Sequence, residues 1–194
     1  MSFPSFLGPF VPIPKQHVLG GHAQVGAGPP VGGAAPMSNS LAFAMQTQQQ
    51  TNWCWAATSS SVSEFFNAAS SWDQCKIAST CLHNTCCASP SPCNVVYTLD
   101  GPLTVTGNLQ GVPFPGADPM GGLQTEIDQG RPVCCHIGWS GGGGHFVAIS
   151  GYDQGVNDVF VEDPLYGKKT IPYNTFMTSY RGSGTWDYTY RTQP

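Results

Sequence analysis

The chain has 194 residues, of which 40% are hydrophobic and only 9% charged, enough apolar material for one domain but far below the roughly 25% charged residues of an average soluble protein. A net charge of −4, with Lys168-Lys169 as the longest cationic run, excludes a nucleic-acid-binding face, which needs several Lys or Arg side chains together. No apolar stretch approaches the ~18 residues of a membrane-spanning helix, and Met1-Ser2-Phe3-Pro4-Ser5 has neither the cationic start nor the apolar run of a conventional export signal.

Residues 1–40 read as a flexible tail or pro-segment, because phrases such as Gly26-Ala27-Gly28-Pro29-Pro30 carry neither a strand nor a helix period. Gly20-Gly21 and Gly32-Gly33 look like the ends of double-glycine leaders. Residues 41–194 are expected to form the single folded domain, with order beginning near Gln48. Asn52 suits a helix cap, and the spacing of Trp55, Val62, Phe66 and Ala69 predicts a helix from Trp53 to Ala69 with Ser59, Ser61, Ser63 and Glu64 turned outward. Residues 70–118 carry no usable period. A second helix is predicted from Met120 to Gln129, capped by Gly130. Strands are then expected over 132–139, 145–152, 158–163 and 169–173, a short helix over 174–180 and a last strand over 185–191. Helices before strands imply an α+β fold with segregated halves.

Eight cysteines fall at 54, 75, 81, 86, 87, 93, 134 and 135. If Cys54 stays free, up to three disulfides remain possible, with a connectivity the spacing does not determine. Structural zinc favours pairs two to four residues apart, and the 75–93 cluster, with His83, lacks that pattern. No metal or other cofactor is expected. High cysteine content and low charge suit a secreted protein.

The chemistry concentrates in Gln48-Gln49-Gln50-Thr51-Asn52-Trp53-Cys54-Trp55-Ala56-Ala57. A cysteine in the first turn of a helix lies where unpaired N–H groups and the helix dipole favour a thiolate. Gln48, six residues earlier, can fold back beside the sulfur and donate to an oxyanion together with the Cys54 N–H. His145 follows four glycines and opens a strand, placing an imidazole where it can exchange the thiol proton. Asp163 ends the next strand and can orient that imidazole. Asp153 and Asp158 are less well placed for this, and His136, in mid-strand, reads as structural.

Gln48 with Cys54-Trp55-Ala56-Ala57, then Gly130-Arg131-Pro132-Val133, Gly144-His145-Phe146-Val147 and Val161-Glu162-Asp163-Pro164, resembles the papain-like cysteine peptidases in order and spacing. The likeness covers about residues 46–190 and is nearest to the bacterial branch with the AvrRpt2-type effector peptidases, which also has Asp where papain has Asn. It implies a papain-like α+β fold, with a helical half carrying Cys54 and an antiparallel sheet half carrying His145 and Asp163. It implies hydrolysis of a polypeptide substrate through a covalent acyl-enzyme, by a monomer that binds neither nucleic acid nor membrane. The tail, unpatterned and preceding the helix of Cys54, is expected to be removed by the protein itself or a partner. The same groups can run acyl transfer or deamidation. A disulfide-bonded interaction protein on an inactive scaffold is the alternative of another class, and a disulfide at Cys54 would favour it.

Overall fold

A computed structural model describes residues 37–194. The expected tail lies outside the described residues up to position 36, and with it the two double-glycine sites. Its last residues are ordered: Ser38–Ser40 form β1, an edge strand pairing antiparallel with a later one, so order begins before Gln48.

The helical half holds α1 (Cys54–Phe66), α2 (Gln74–Leu82) and α3 (Asp100–Thr106). The sheet half holds β2 (Phe114–Pro115), α4 (Met120–Asp128), β3 (Val133–Trp139), β4 (Gly144–Asp153), β5 (Asp158–Glu162), β6 (Lys169–Pro172), α5 (Tyr173–Ser179) and β7 (Gly184–Arg191). The sheet runs β2-β7-β3-β4-β5-β6, with every pairing antiparallel and β1 added on β4. This is the α+β arrangement expected from the sequence. No helix among the described residues is long and apolar enough to cross a membrane.

Strand alternation sorts the core into two layers. Cys134, Phe146, Ala148 and Tyr190 face the helical half and pack with Trp53, Trp55, Leu99 and Leu103. Cys135, Ile137, Val147 and Ile149 face the other way, against Leu123, Phe176 and Trp186. β4 is covered on both faces, so it is buried from His145 to Tyr152.

The structure corrects the reading of α1 in three respects. It ends at Phe66, not Ala69, which is exposed. Ser59, Ser61 and Ser63 are buried rather than outward, with Thr58 and Ser60 buried beside them. Small side chains let neighbouring backbone come close, and their hydroxyls bond locally: Ser60 Oγ donates to Trp72 O (2.8 Å), Ser61 Oγ to Ala57 O (2.7 Å), and Ser63 pairs with Ser70 (2.7 Å). Glu64 is exposed, as expected. Asn52 does not cap the helix: Trp53 occupies the cap position without a side-chain bond. Asn52 instead takes Asn94 as partner, its N–H donating to Asn94 Oδ1 (2.8 Å) and its Nδ2 to Asn94 O (2.9 Å).

The region 70–118, read as irregular, contains α2, α3 and a 3-10 turn at Ser91–Cys93. Two disulfides bind it, Cys75–Cys87 and Cys86–Cys93. They hold the backbone that receives the start of α1: the Trp53 indole donates to Cys93 O (2.8 Å) and the Trp55 indole to Val95 O (3.1 Å). Replacing Cys86 and Cys93 together by serine removes a short-loop crosslink with an entropic contribution of about 2–3 kcal/mol. A lower melting temperature under oxidising conditions, unchanged by reductant in the variant at that bond, is the expected result in a thermal melt.

Candidate active site

Cys54 is the first residue of α1, a free thiol only 9% exposed. The first helical bond runs from the Ala57 N–H to Trp53 O (2.9 Å), so the N–H groups of residues 54–56 have no intrahelical acceptor. The loop before α1 is tied across to the other half by a backbone bond from Gln48 N to Pro164 O (2.9 Å). One bond thus couples the segment leading into Cys54 to the residue that follows Asp163.

His145 is delivered by the β3–β4 turn. Gly142 and Gly143 have φ of 90° and 78°, a conformation that side-chain-bearing residues rarely adopt, and the turn closes with Gly142 N to Trp139 O and Trp139 N to Gly143 O. His145 is 6% exposed, its ring stacked at 6.2 Å from Trp139 and met edge-on by Tyr166 at 6.2 Å. Its Nε2 lies 2.9 Å from Asp163 Oδ1. A carboxylate can only accept, so Nε2 carries the proton and Nδ1 is the nitrogen able to take one from Cys54, which lines the same cleft.

Asp163 sits just past β5 and accepts from four donors. Oδ1 takes His145 and the N–H groups of Leu165 (2.7 Å) and Tyr166 (3.0 Å), and Oδ2 takes the Tyr180 hydroxyl (2.5 Å). Burial pushes this carboxyl up most strongly, but the His145 bond and charge, with the Tyr180 and Leu165 bonds, outweigh it and hold it below its ordinary value. For His145, burial is the largest influence and acts downward. The bonds to Asp163 and Cys54 and the charges of both reverse it, raising the pKa to about 9.

Gln48, expected as an oxyanion donor, lines the same cleft as Cys54 and His145. Its amide hydrogens, however, go to Gln50 O (3.0 Å) and Thr51 O (2.8 Å), while its buried Oε1 has no partner. The cleft, about 320 Å³, has Trp55, Val96 and Tyr97 on the helical side and His136, Phe146 and Leu165 on the sheet side.

The model of the Peptidase_C39 like family matches residues 40–192. The chain belongs to that family. By family and fold it is a papain-like cysteine peptidase. No curated protein sequence matches it significantly. Similar solved structures include a double glycine motif protease from an AMS/PCAT transporter in complex with the leader peptide, at 16% identity and a TM-score of 0.50 over 80% of this chain and 95% of that one. Another is xylellain, a cysteine protease from Xylella fastidiosa, at 13% identity and a TM-score of 0.52 over 83% and 88%.

Two parts of the candidate site carry no sequence signal. Tyr180 comes from the end of α5, 17 residues beyond Asp163, and nothing local marks it as a partner. His136, read as structural, lines the cleft. Tyr180→Phe removes one charge-assisted bond from a buried carboxylate, and a loss of roughly 1.5–3 kcal/mol is expected. A merely structural loss would lower only the melting temperature. A positioning role requires in addition that the alkaline limb of the pH–rate profile move to higher pH, because an Asp163 carboxylate relieved of one donor holds the His145 proton more firmly.

Proposed function

We propose that this peptidase hydrolyses peptide bonds of a polypeptide substrate through Cys54, His145 and Asp163 by way of a covalent acyl-enzyme. The reading rests on one observation: His145 lines one cleft with Cys54 and is paired at 2.9 Å with the buried carboxylate of Asp163. The sulfur gives its proton to His145 and attacks the carbonyl carbon, and imidazolium then protonates the departing amine. Water, deprotonated by His145, releases the acid and restores the thiol. The developing oxyanion falls to the Cys54 N–H and to Gln48, whose Nε2 must exchange one loop carbonyl for it. A polypeptide substrate agrees with the leader peptide bound by one structural neighbour. The two disulfides are compatible with an extracellular setting. A scaffold silenced by a disulfide at Cys54 is not favoured, because that thiol is free.

Digestion of reduced casein, with new termini read by mass spectrometry, tests the reading. Burial pushes the thiols of Cys81, Cys134 and Cys135 up, which makes them poorer nucleophiles than an ordinary cysteine. A sub-stoichiometric alkylating agent is therefore expected to lower cleavage in proportion to the label that peptide mapping finds on Cys54. Alkylation of Cys54 with cleavage intact sinks the proposal. Products joined to an added amine, in place of free acids, identify acyl transfer.

A further inference from the structure

A groove leaves the cleft beside His145. Tyr97, His136 and Phe146 belong to both, and Asp187, Tyr188 and Tyr190 continue it. It is built around a second histidine–aspartate pair, His136 Nδ1–H to Asp187 Oδ1 at 2.6 Å. The sheet makes room for this pair at two glycines facing each other in register, Gly138 and Gly144. A Cβ on Gly144 would lie 2.0 Å from His136 Nε2, and one on Gly138 2.4 Å from Asp187 Oδ2. The catalytic steps described above use neither residue.

The walls are aromatic. His136 packs on Phe146 (4.9 Å between centroids), Phe146 on Tyr190 (5.8 Å) and Tyr190 on Tyr188 (5.8 Å). Asp187 keeps 48% of its side chain exposed, and Tyr188 is 38% exposed. A neutral imidazole suffices for the Nδ1–H bond, so the carboxylate can keep its charge. Asp100 stands at the far end, in a depression that also touches Tyr188 and Tyr190. The Tyr190 phenol, pushed up to about 12 first by burial, also feels Asp100 and Asp187. No lysine or arginine among the described residues pairs with either carboxylate. The arginines Arg131 and Arg191 serve Glu126 and Asp118, Arg181 covers Tyr166, and Lys168 serves Glu162.

We infer that this groove is a specificity subsite for a lysine or arginine side chain of the substrate, with Asp187 as the selecting charge and the tyrosine rings as the surface for the cationic head and its methylene stem. Aromatic faces attract a cation within about 6 Å of the ring, and exposed carboxylates add Coulomb attraction that salt screens. The inference rests on the cleft being the peptide-binding site.

The test uses full-length protein with Cys54→Ala, so that bound peptide stays intact. Two acetylated and amidated alanine-rich heptapeptides, with either lysine or norleucine at the centre, are titrated against tyrosine-ring-labelled protein by NMR. Norleucine keeps the methylene stem and lacks the ammonium. The lysine peptide is expected to bind about fivefold or more tightly, shifting the Tyr188 and Tyr190 rings. That preference is expected to fall towards unity with Asp187→Asn, which retains an acceptor for His136, and in about 0.5 M salt, which needs no substitution. Equal affinities at low salt, including no binding of either peptide, overturn the subsite. So does a preference that survives both the substitution and the salt. Hydrolysis is read separately: wild-type protein that shows the lysine preference yet leaves both peptides and casein uncut removes the peptidase mechanism and keeps the subsite.

Discussion

Cys54→Ala is expected to lower kcat/KM on any peptide this protein cleaves by about five to six orders of magnitude, the scale on which loss of a covalent nucleophile is felt. The other free thiols cannot take its place. Cys134 and Cys135 are fully buried in β3, and Cys81 belongs to α2, outside the cleft lining. Cys54→Ser keeps a hydroxyl at the same position but not an acidic one, so it is expected to stay near the alanine variant. A fluorogenic peptide assay measures both variants, and a melting curve confirms that each is folded. Residual activity above about 1% of wild type would place the nucleophile elsewhere.

Asp163→Asn is expected to cost about three to four orders of magnitude in kcat. The amide has a single acceptor oxygen, so it can serve the two backbone N–H groups or Tyr180 but not both, and it offers His145 no charge. It also allows the ring to settle in the wrong tautomer. The pH profile gives a sharper test. With Asp163 present, the His145 pKa stands at about 9, so imidazolium is available to the leaving amine up to that pH and activity declines above it. Removing the carboxylate leaves burial, which acts downward, as the leading influence, so the alkaline limb moves to lower pH. Stability follows the same groups. His145 has a folded pKa above its unfolded value near 6.5, so its contribution is complete below that value and is lost as pH rises through about 9. Asp163 has a lowered folded pKa, so its contribution is present above the unfolded value near 3.8 and is lost as pH falls through the folded one. The melting temperature is therefore expected to be highest between those two limits, with Asp163→Asn flattening the dependence at both ends.

The sheet half was legible because its signals are local. Short runs bounded by turn residues marked β3 to β7 to within about a residue, though not β1 or β2, and the glycine run marked the β3–β4 turn that delivers His145. Gln48, Cys54, His145 and Asp163 were legible through their spacing, although the hydrogen-bond partners of Gln48 were not. The helical half concealed more. α2 has nine residues and α3 seven, too short for a stripe to stand out, and α3 opens with Asp100-Gly101-Pro102, which reads as a turn until the proline is placed in a first helical turn. The buried serines of α1 ran against polarity, because Ser60, Ser61 and Ser63 find partners in Trp72 O, Ala57 O and the Ser70 hydroxyl, which polarity alone does not foretell. Tyr180 and the Cys75–Cys87 and Cys86–Cys93 pairings exist only as tertiary facts.

The disulfide brace behind α1 sets two opposing demands on its surroundings. Attack on a carbonyl needs the Cys54 sulfur reduced, while the backbone that receives the Trp53 and Trp55 indoles is held by Cys86–Cys93, which must stay oxidised. Strong reductant keeps the first sulfur ready and loosens the second pair, and strong oxidant does the reverse. On the mechanism proposed above, turnover is expected to pass through a maximum at an intermediate redox poise as thiol concentration is raised.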